Sequence, residues 1–211
     1  MANVTKLTQE YISAHPFVKD CLKRGLINYS SLARQICADT GLNEKKNFDA
    51  VLIACRRFHR KIKTEPNVEK RILGILRDSK LEIRNKISSI ILEKDIAYSN
   101  LFDIEKEAKK SLETFHIVEG TSTVTVIASG DFGKKIKQVF KNKIVRENSE
   151  LVEVILKSPK EIVTTAGVVS YLFSLFGEND INVFDALSSW TDTIFLIEGK
   201  DLSRVMELLR F

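Results

Sequence analysis

Histidine and cysteine are the residue types most able to bind a metal ion or act as a nucleophile, and this chain has three of each. The histidines, His15, His59 and His116, are scattered over the chain, and no metal cluster or catalytic triad can be assembled from their spacing. The cysteines form no close C-x₂-C pair of the kind that zinc sites use: Cys21, Cys37 and Cys55. We therefore predict no catalytic residues, no metal site, and three reduced, buried cysteines in a cytoplasmic protein.

The segment 129–135, Ser-Gly-Asp-Phe-Gly-Lys-Lys, is a second place where chemistry could occur, because it looks faintly like a phosphate-binding loop. It lacks the G-x-x-x-x-G-K-[ST] spacing, and Lys135 stands where that loop needs a magnesium-binding hydroxyl group. We interpret the segment as a turn between a strand and a helix. The sequence therefore predicts a protein that is not an enzyme and that holds no cofactor.

Charge is distributed unevenly along the chain. Residues 1–63 contain twelve basic and five acidic residues, a net charge of +7, whereas the remaining residues carry a net charge of −2. This asymmetry is typical of a nucleic-acid-binding segment attached to a nearly neutral body. A basic surface that is merely solvated is the alternative interpretation.

Helical patterns account for the whole of this basic segment. A helix begins at Pro16 and ends before Gly25, and a last helix opens at Asn43 or Asn47. The last helix has apolar residues at i, i+4, i+7 and i+11, which predicts one buried face: Val51, Cys55, Phe58 and Ile62. We predict a helix-turn-helix-like domain, winged or plain, over residues 1–65. Two lysines just before the last helix and three arginines on its outer side are the predicted DNA-binding residues: Lys45, Lys46, Arg56, Arg57 and Arg60.

The rest of the chain alternates strands and helices in an order that occurs twice. After a connecting helix over 68–78, the first pass has a strand, a helix, a hairpin, a helix and the start of a strand: 81–92, 102–112, 115–118, 123–128, 132–140 and 143–146. The second pass repeats the order: 151–157, 167–176, 182–187, 193–198 and 202–209. This is the order of a ferredoxin-like (βαββαβ) unit with an antiparallel sheet. We predict an α+β fold with a linker helix and first unit over 66–150 and a second unit over 151–211.

Three motifs in the second unit are more specific: T-x-G-V over 165–168, E-N-x-I-N-V over 178–183, and S-x-x-T-D-T-I-F over 188–195. They resemble the ACT domain, and most closely the paired ACT units at the regulatory end of aspartate kinases. The resemblance in motifs covers 151–210, whereas 80–150 is similar only in the order of its elements. The chain stops before a fourth strand of the second unit, so that strand must come from 80–86, from 143–147, or from a partner chain.

The resemblance implies that an amino-acid effector binds between the turn of one unit and the strand of another. The matching effector-binding residues are Thr165, Ala166, Gly167, Val168, Val169, Asn182 and Val183. Gly167 lets the backbone approach a ligand, free N–H groups at the start of the next helix favour a carboxylate, and Asn182 offers an amide donor and acceptor. A tight turn and a strand-entry residue are the alternative reading. We expect Gly167→Val to abolish effector binding and to leave the fold largely intact.

These features together predict an amino-acid-sensing, DNA-binding transcription regulator, with double-stranded DNA and a free amino acid as partners. The resemblance and the missing strand predict a homodimer through the ACT units. No membrane partner is expected, because the longest uncharged stretch, 162–177, is shorter than the roughly 20 apolar residues of a membrane span. One alternative is an ACT regulatory subunit that binds no DNA and controls a metabolic enzyme of amino-acid biosynthesis. Another is a structural ACT pair whose basic head binds RNA.

Overall fold

The computed structural model describes residues 3–64 and 68–211. Its contacts divide the chain into residues 1–67 and residues 68–211, and each unit is described by itself below. The first unit is helical and the second contains an antiparallel sheet, so the protein has a mixed α+β fold. Within the described ranges, no helix combines the length and the apolar character that crossing a membrane requires.

The described residues of the first unit form four helices, whose starts follow from local sequence signals. Asn28 and Asn43 cap two of them, because their side-chain oxygens accept hydrogen bonds from first-turn N–H groups. The helices are α1 (Val4–Ala14), α2 (Pro16–Arg24), α3 (Tyr29–Thr40) and α4 (Glu44–Ile62). Residues 3–64 contain no strand, so no wing is present in that range. The likeness of this unit to a helix-turn-helix domain stays a prediction.

The core of the first unit confirms the apolar stripe predicted for its last helix. The four stripe residues of α4 are buried and pack with residues of α1, α2 and α3, among them Ile12, Leu22, Leu32, Ala33 and Ile36. Cys37 and Cys55 are buried as predicted, but Cys21 is exposed, because it lies on the side of α2 that faces away from this core. Burial raises the pKa of the Cys55 thiol to about 11, so this thiol is uncharged at neutral pH.

The second unit contains five helices and six strands among its described residues. The helices are α5 (Val68–Arg77), α6 (Tyr98–Lys110), α7 (Gly130–Val139), α8 (Val168–Gly177) and α9 (Leu202–Leu208). The strands are β1 (Lys80–Glu93), β2 (Phe115–Glu119), β3 (Thr123–Ser129), β4 (Ile144–Lys157), β5 (Asp185–Ser189) and β6 (Asp192–Glu198). They form one antiparallel sheet in the order β2-β3-β1-β4-β6-β5.

The two central strands, β1 and β4, are each 14 residues long and pair with each other along most of their length. The sequence predicts two separate strands over 143–146 and 151–157, but β4 runs through the polar residues between them and across the predicted unit boundary at 150/151. Lys86 and Glu150 have φ values of +58° and +57°, and the register between β1 and β4 shifts close to both residues. Such bulges bend and twist a long strand without ending it.

The pairing of β1 with β4 supplies the missing fourth strand from within the chain. Residues 80–84 pair with 153–157, next to β6, so the 80–86 candidate is the one that the structure adopts. Residues 144–148 pair in turn with 89–92, next to β3. The alternative that a partner chain supplies this strand is therefore not needed, and a dimer cannot be argued from a missing strand. The division of the sheet into two ferredoxin-like units stays a prediction.

Two apolar clusters attach the helices to the sheet. Helices α5, α8 and α9 pack on β4 and β6 through residues that include Ile72, Leu76, Val154, Leu172, Phe176 and Phe195. Helices α6 and α7 pack on β1, β2 and β3 through residues that include Ile90, Leu101, Ile104, Val126 and Ile136. Alternation along β1 and β4 places other side chains on the opposite face of the sheet, where a third apolar cluster contains Ile87, Ile127, Leu151 and Leu196.

Polar contacts cross this opposite face between strands that are not neighbours. Glu153, the tenth residue of β4, is buried, and its carboxylate accepts a hydrogen bond from Thr114 Oγ1 at 3.0 Å and lies 2.9 Å from Nε2 of His116 on β2. A guanidinium nitrogen of Arg84 on β1 lies 3.6 Å from the same carboxylate. The first edge strand is thereby held against the middle of the sheet.

A corresponding contact holds the other edge strand. Ser89, the tenth residue of β1, is buried and donates a hydrogen bond of 2.6 Å to Asp185 Oδ2 on β5. Glu153 and Ser89 are thus at the same position, the tenth, of the two long strands. Glu153 of β4 contacts the edge strand β2, which lies beyond β1, and Ser89 of β1 contacts the edge strand β5, which lies beyond β4. We call these two contacts the cross-sheet bridges.

Removal of the Glu153 carboxylate should destabilise the protein. We expect Glu153→Ala to lower the free energy of unfolding by about 1–3 kcal/mol, because the buried Thr114 hydroxyl and the partly buried His116 ring lose their acceptor. Glu153→Gln keeps the size of the side chain and one acceptor oxygen, so it should lose less. Urea denaturation followed by circular dichroism measures the difference. Asp131→Ala, which removes an exposed carboxylate, is the control, and an equal effect of Glu153→Ala would contradict a stabilising bridge.

Candidate ligand-binding site

A cleft of about 320 Å³ lies between α5 and the loop that connects β4 to α8. This volume is at the lower end of the range of small-molecule sites, about 300–1,000 Å³. Its lining residues belong to α5, to the position just after α5, and to the loop: Lys70, Arg71, Gly74, Ile75, Asp78, Pro159, Glu161, Thr164 and Thr165. We call it the α5 cleft.

Helix α5 is amphipathic, and this property positions its side of the cleft. Ile72 and Leu76 are buried in the cluster that α5 forms with β4 and α8, and they anchor the helix. Lys70, Gly74 and Asp78 recur at intervals of four and therefore follow one another along a different face of the helix. The apolar face thus fixes α5 to the sheet unit, and the polar face lines the cleft.

The loop on the other side of the cleft is held by contacts at both of its ends. Ser79 Oγ donates a hydrogen bond of 2.9 Å to Ser158 Oγ, which ties the start of the loop to the end of α5. Lys160 Nζ lies 5.7 Å from the ring centre of Trp190, which is 70% exposed in the turn between β5 and β6. At the other end, Thr165 is buried and accepts a long hydrogen bond of 3.5 Å from Arg71 Nη2.

The charges around the α5 cleft are of both signs. Lys70 and Arg71 contribute two cations, and Asp78 and Glu161 contribute two carboxylates. A guanidinium group binds a carboxylate through two parallel hydrogen bonds, and carboxylates accept hydrogen bonds from an ammonium group. The lining therefore suits a small zwitterion. Over residues 3–64 and 68–211, no cluster of His, Cys, Asp or Glu could hold a metal ion.

The first turn of α8 adds partial positive charge beside the loop. Gly167 is its N-cap residue with a φ of +94°, a left-handed conformation that favours glycine, and no side chain of the described residues caps this turn. N–H groups at a helix start carry partial positive charge and need acceptors. A Cβ atom on Gly167 would lie 3.3 Å from Cδ1 of Ile72, so α5 packs closely over this turn.

The predicted effector-binding residues fall into two groups that the structure does not bring together. Thr165 lines the α5 cleft, Ala166 and Gly167 are exposed beside it, Val168 is buried in the core, and Val169 is exposed on α8. The turn lies before α8, and the remaining two residues, Asn182 and Val183, lie after it. Helix α8 has ten residues and is about 15 Å long. Because the two groups lie at its opposite ends, one small ligand does not reach both groups of the same chain.

Asn182 and Val183 are not in a strand, although the sequence predicts one over 182–187. The strand begins only at Asp185, because the chain still turns around the end of α8 at this point. The N–H of Ile181 donates a hydrogen bond of 3.0 Å to the carbonyl of Phe176, and the Ile181 side chain is buried. Asn182 is exposed in the connection that follows.

Sequence reasoning missed the contribution of α5, which it treated as a connector. Three of the missed residues carry charge and one is a glycine: Lys70, Arg71, Asp78 and Gly74. The available signal was the separation of these polar positions from the apolar positions 72, 75 and 76 on the helix. That pattern predicts a helix that packs on a core with its apolar face and has a polar face that does not take part in the packing.

The predicted DNA-binding residues all lie on exposed positions of α4. At about 100° per residue, the five basic residues fall within a sector of about 120°, opposite the buried stripe. The same sector contains Asp49 and Ile53. Lys45 and Lys46 belong to the first turn of α4 and do not precede the helix, because Asn43 is its N-cap. We call this sector the α4 basic face.

No family model and no curated protein matches the chain. Among solved structures, the aspartate kinase of Clostridium acetobutylicum, described as an important allosteric enzyme, matches with a TM-score of 0.50 and 16% identity. That match covers 62% of this chain and 33% of the kinase, so this chain corresponds to about a third of the kinase's length. At this identity the likeness concerns the fold alone, and it supports an ACT-like fold in this chain.

Two further structures match with lower scores. The regulatory subunit of aspartate kinase from Thermus flavus has a TM-score of 0.48 and 10% identity, over 64% of this chain and 96% of that chain. A putative C-terminal regulatory domain of aspartate kinase from Porphyromonas gingivalis W83 has a TM-score of 0.46 and 9% identity, over 62% of this chain and 94% of that chain.

The sequence alone predicts that Gly167→Val leaves the fold largely intact, whereas the geometry at Gly167 predicts a loss of stability. Valine would have to adopt a φ of +94°, and its Cβ would press on Ile72, so we expect a loss of about 1–3 kcal/mol in the free energy of unfolding. Urea denaturation measures this loss. Gly177→Val at the end of α8 is a matched control, because a Cβ there meets nothing within 4 Å. Equal stability of the two variants would show that the turn tolerates a side chain.

Proposed function

We propose that this chain is a regulatory protein that binds a free amino acid in the α5 cleft. The observation that carries this proposal is the lining of the cleft, where Lys70 and Arg71 lie on the same small surface as Asp78 and Glu161. An amino acid carries one carboxylate and one ammonium group, which these four side chains complement. The uncapped first turn of α8 supplies further N–H donors for the carboxylate.

The target of regulation that we favour is a metabolic enzyme of amino-acid biosynthesis, which the chain would control as a subunit without binding DNA. The ACT-like fold shared with part of an allosteric aspartate kinase supports this proposal. In it, Thr165, Ala166 and Gly167 contribute the turn next to the ligand, and Val168 and Val169 begin the helix behind it. Asn182 and Val183 lie at the other end of α8 and would contact a ligand only in a second site, such as one that is shared with another copy of the chain. The homodimer through the ACT units stays a prediction.

The effector proposal predicts that a free amino acid stabilises the protein. At a ligand concentration 100 times Kd, binding raises the free energy of unfolding by about 2.7 kcal/mol. For a chain of this size this corresponds to a rise in Tm of roughly 5–10 °C. Thermal-shift measurements with each of the twenty L-amino acids test it. We expect Arg71→Ala to abolish the shift, because Arg71 is the guanidinium that lines the cleft.

Arg77→Ala is the matched control for this experiment. Arg77 is exposed in the last turn of the same helix and lies outside the lining of the cleft, so its removal deletes the same charge without touching the site. The control should keep the full ligand-induced shift. A wild-type protein that no amino acid stabilises, or equal losses in the two variants, would contradict the proposal.

Binding of double-stranded DNA is the second candidate function, and the α4 basic face is the observation that favours it. Lys45 and Arg60 lie 15 residues apart on α4, which is about 22 Å along the helix axis. All five basic side chains of the face are exposed. In a DNA complex, Lys45 and Lys46 in the first turn would contact bases, and the three arginines would contact phosphates.

The triple variant Arg56→Ala, Arg57→Ala, Arg60→Ala tests the DNA-binding candidate. Each phosphate contact contributes about 0.9 to the slope of log affinity against log salt, so the slope should flatten by about two to three units. Fluorescence anisotropy with a labelled duplex at several salt concentrations measures it. The triple variant Lys19→Ala, Lys23→Ala, Arg24→Ala on α2 removes the same charge elsewhere in the unit. If both variants change the slope equally, net charge and not the α4 basic face explains the binding.

A further inference from the structure

Gly74 lies in the middle of α5, where a glycine lowers the stability of a helix by roughly 1 kcal/mol relative to alanine. Glycine in a helix is often required by a left-handed backbone or by close packing. Neither reason holds here, because Gly74 is absent from the glycines with positive φ and a Cβ at this position would meet nothing within 4 Å. Packing among the described residues therefore does not explain why position 74 is a glycine.

The position of Gly74 in the α5 cleft offers a different explanation for this glycine. Gly74 lines the α5 cleft one helical turn after Lys70 and one turn before Asp78. Four residues of helix span roughly 6 Å, so Gly74 separates the cationic end of this face from its acidic end. A zwitterion that bridges the two ends must cross the helix surface at Gly74.

We propose that Gly74 is a specificity-determining residue of the α5 cleft, whose missing side chain leaves the space that a bound amino acid occupies. This inference rests on the proposed effector function and adds to it the element that limits ligand size. The glycine surface lets the ligand lie directly against the backbone of α5. Any side chain at position 74 would project between the two charged ends and shorten the available space.

Replacement of Gly74 by alanine should therefore raise the stability of the free protein and weaken its binding of amino acids. We expect Gly74→Ala to raise the Tm of the free protein by about 2–4 °C, because alanine favours the helix. The same change should weaken binding by about tenfold, since one added carbon in a close-fitting site has an effect of this size. The loss should be larger for bulky amino acids than for small ones. Gly74→Leu should abolish binding.

Isothermal titration calorimetry of the full chain with each of the twenty L-amino acids measures these effects. The matched control is Gly177→Ala, another helix glycine whose Cβ would meet nothing within 4 Å, at the end of α8 and outside the cleft. It should leave every affinity unchanged. Because alanine at position 74 has free space around it, Gly74→Ala keeps the experiment informative even if Gly74→Leu does not fold.

The possible results are distinguishable. A folded Gly74→Leu or Gly74→Ala variant that binds as the wild type does, while Arg71→Ala loses binding, overturns the role of Gly74 and leaves the effector site standing. A wild-type protein that binds no amino acid overturns the effector site, and the role of Gly74 with it. Weaker binding in Gly74→Ala but not in Gly177→Ala supports the inference.

Discussion

The antiparallel pairing of β1 with β4 is the interaction on which the second unit depends. Each strand is 14 residues long, and each joins both halves of the six-stranded sheet. The residues that pair are 52 to 77 positions apart in the sequence, from Leu92 with Ile144 to Lys80 with Lys157, so this contact must form across a large part of the chain. Both cross-sheet bridges start from these strands, and the apolar clusters of both groups of helices include residues of these strands. A change that loosens this pair therefore affects the sheet as a whole.

Helix α5 contributes both to the core and to the lining of the α5 cleft. Its apolar residues enter the core next to β4 and α8, and its polar residues face the β4–α8 loop. Ile72 is buried in the core, and a Cβ atom on Gly167 would lie 3.3 Å from its Cδ1, so the core side of α5 packs closely on the turn before α8. The position of the loop is thus coupled to the position of α5.

Residues at helix ends and the spacing of apolar residues predict those elements whose structure depends on neighbouring positions in the sequence. Pro16 and Gly25 bound α2 as predicted, and the apolar stripe of α4 is buried as predicted. The continuity of β4 could not be predicted in this way, because residues 146–150 are polar and their strand conformation comes from backbone pairing with β1. The same limit applies to the α5 cleft, whose two sides are more than 80 positions apart. The T-x-G-V motif predicts the turn at Gly167, but it does not predict that α5 covers this turn.

Trp190 has a consequence for observing the protein in solution. It is the sole tryptophan of the chain, and it is largely exposed at the tip of the β5–β6 turn, next to the ammonium group of Lys160. Lys160 belongs to the loop that forms one side of the α5 cleft. The quantum yield and emission wavelength of an indole ring depend on the charge and water around it. With excitation that is selective for tryptophan over the four tyrosines, the fluorescence of the unlabelled protein is therefore a single-site optical reporter of the position of this loop.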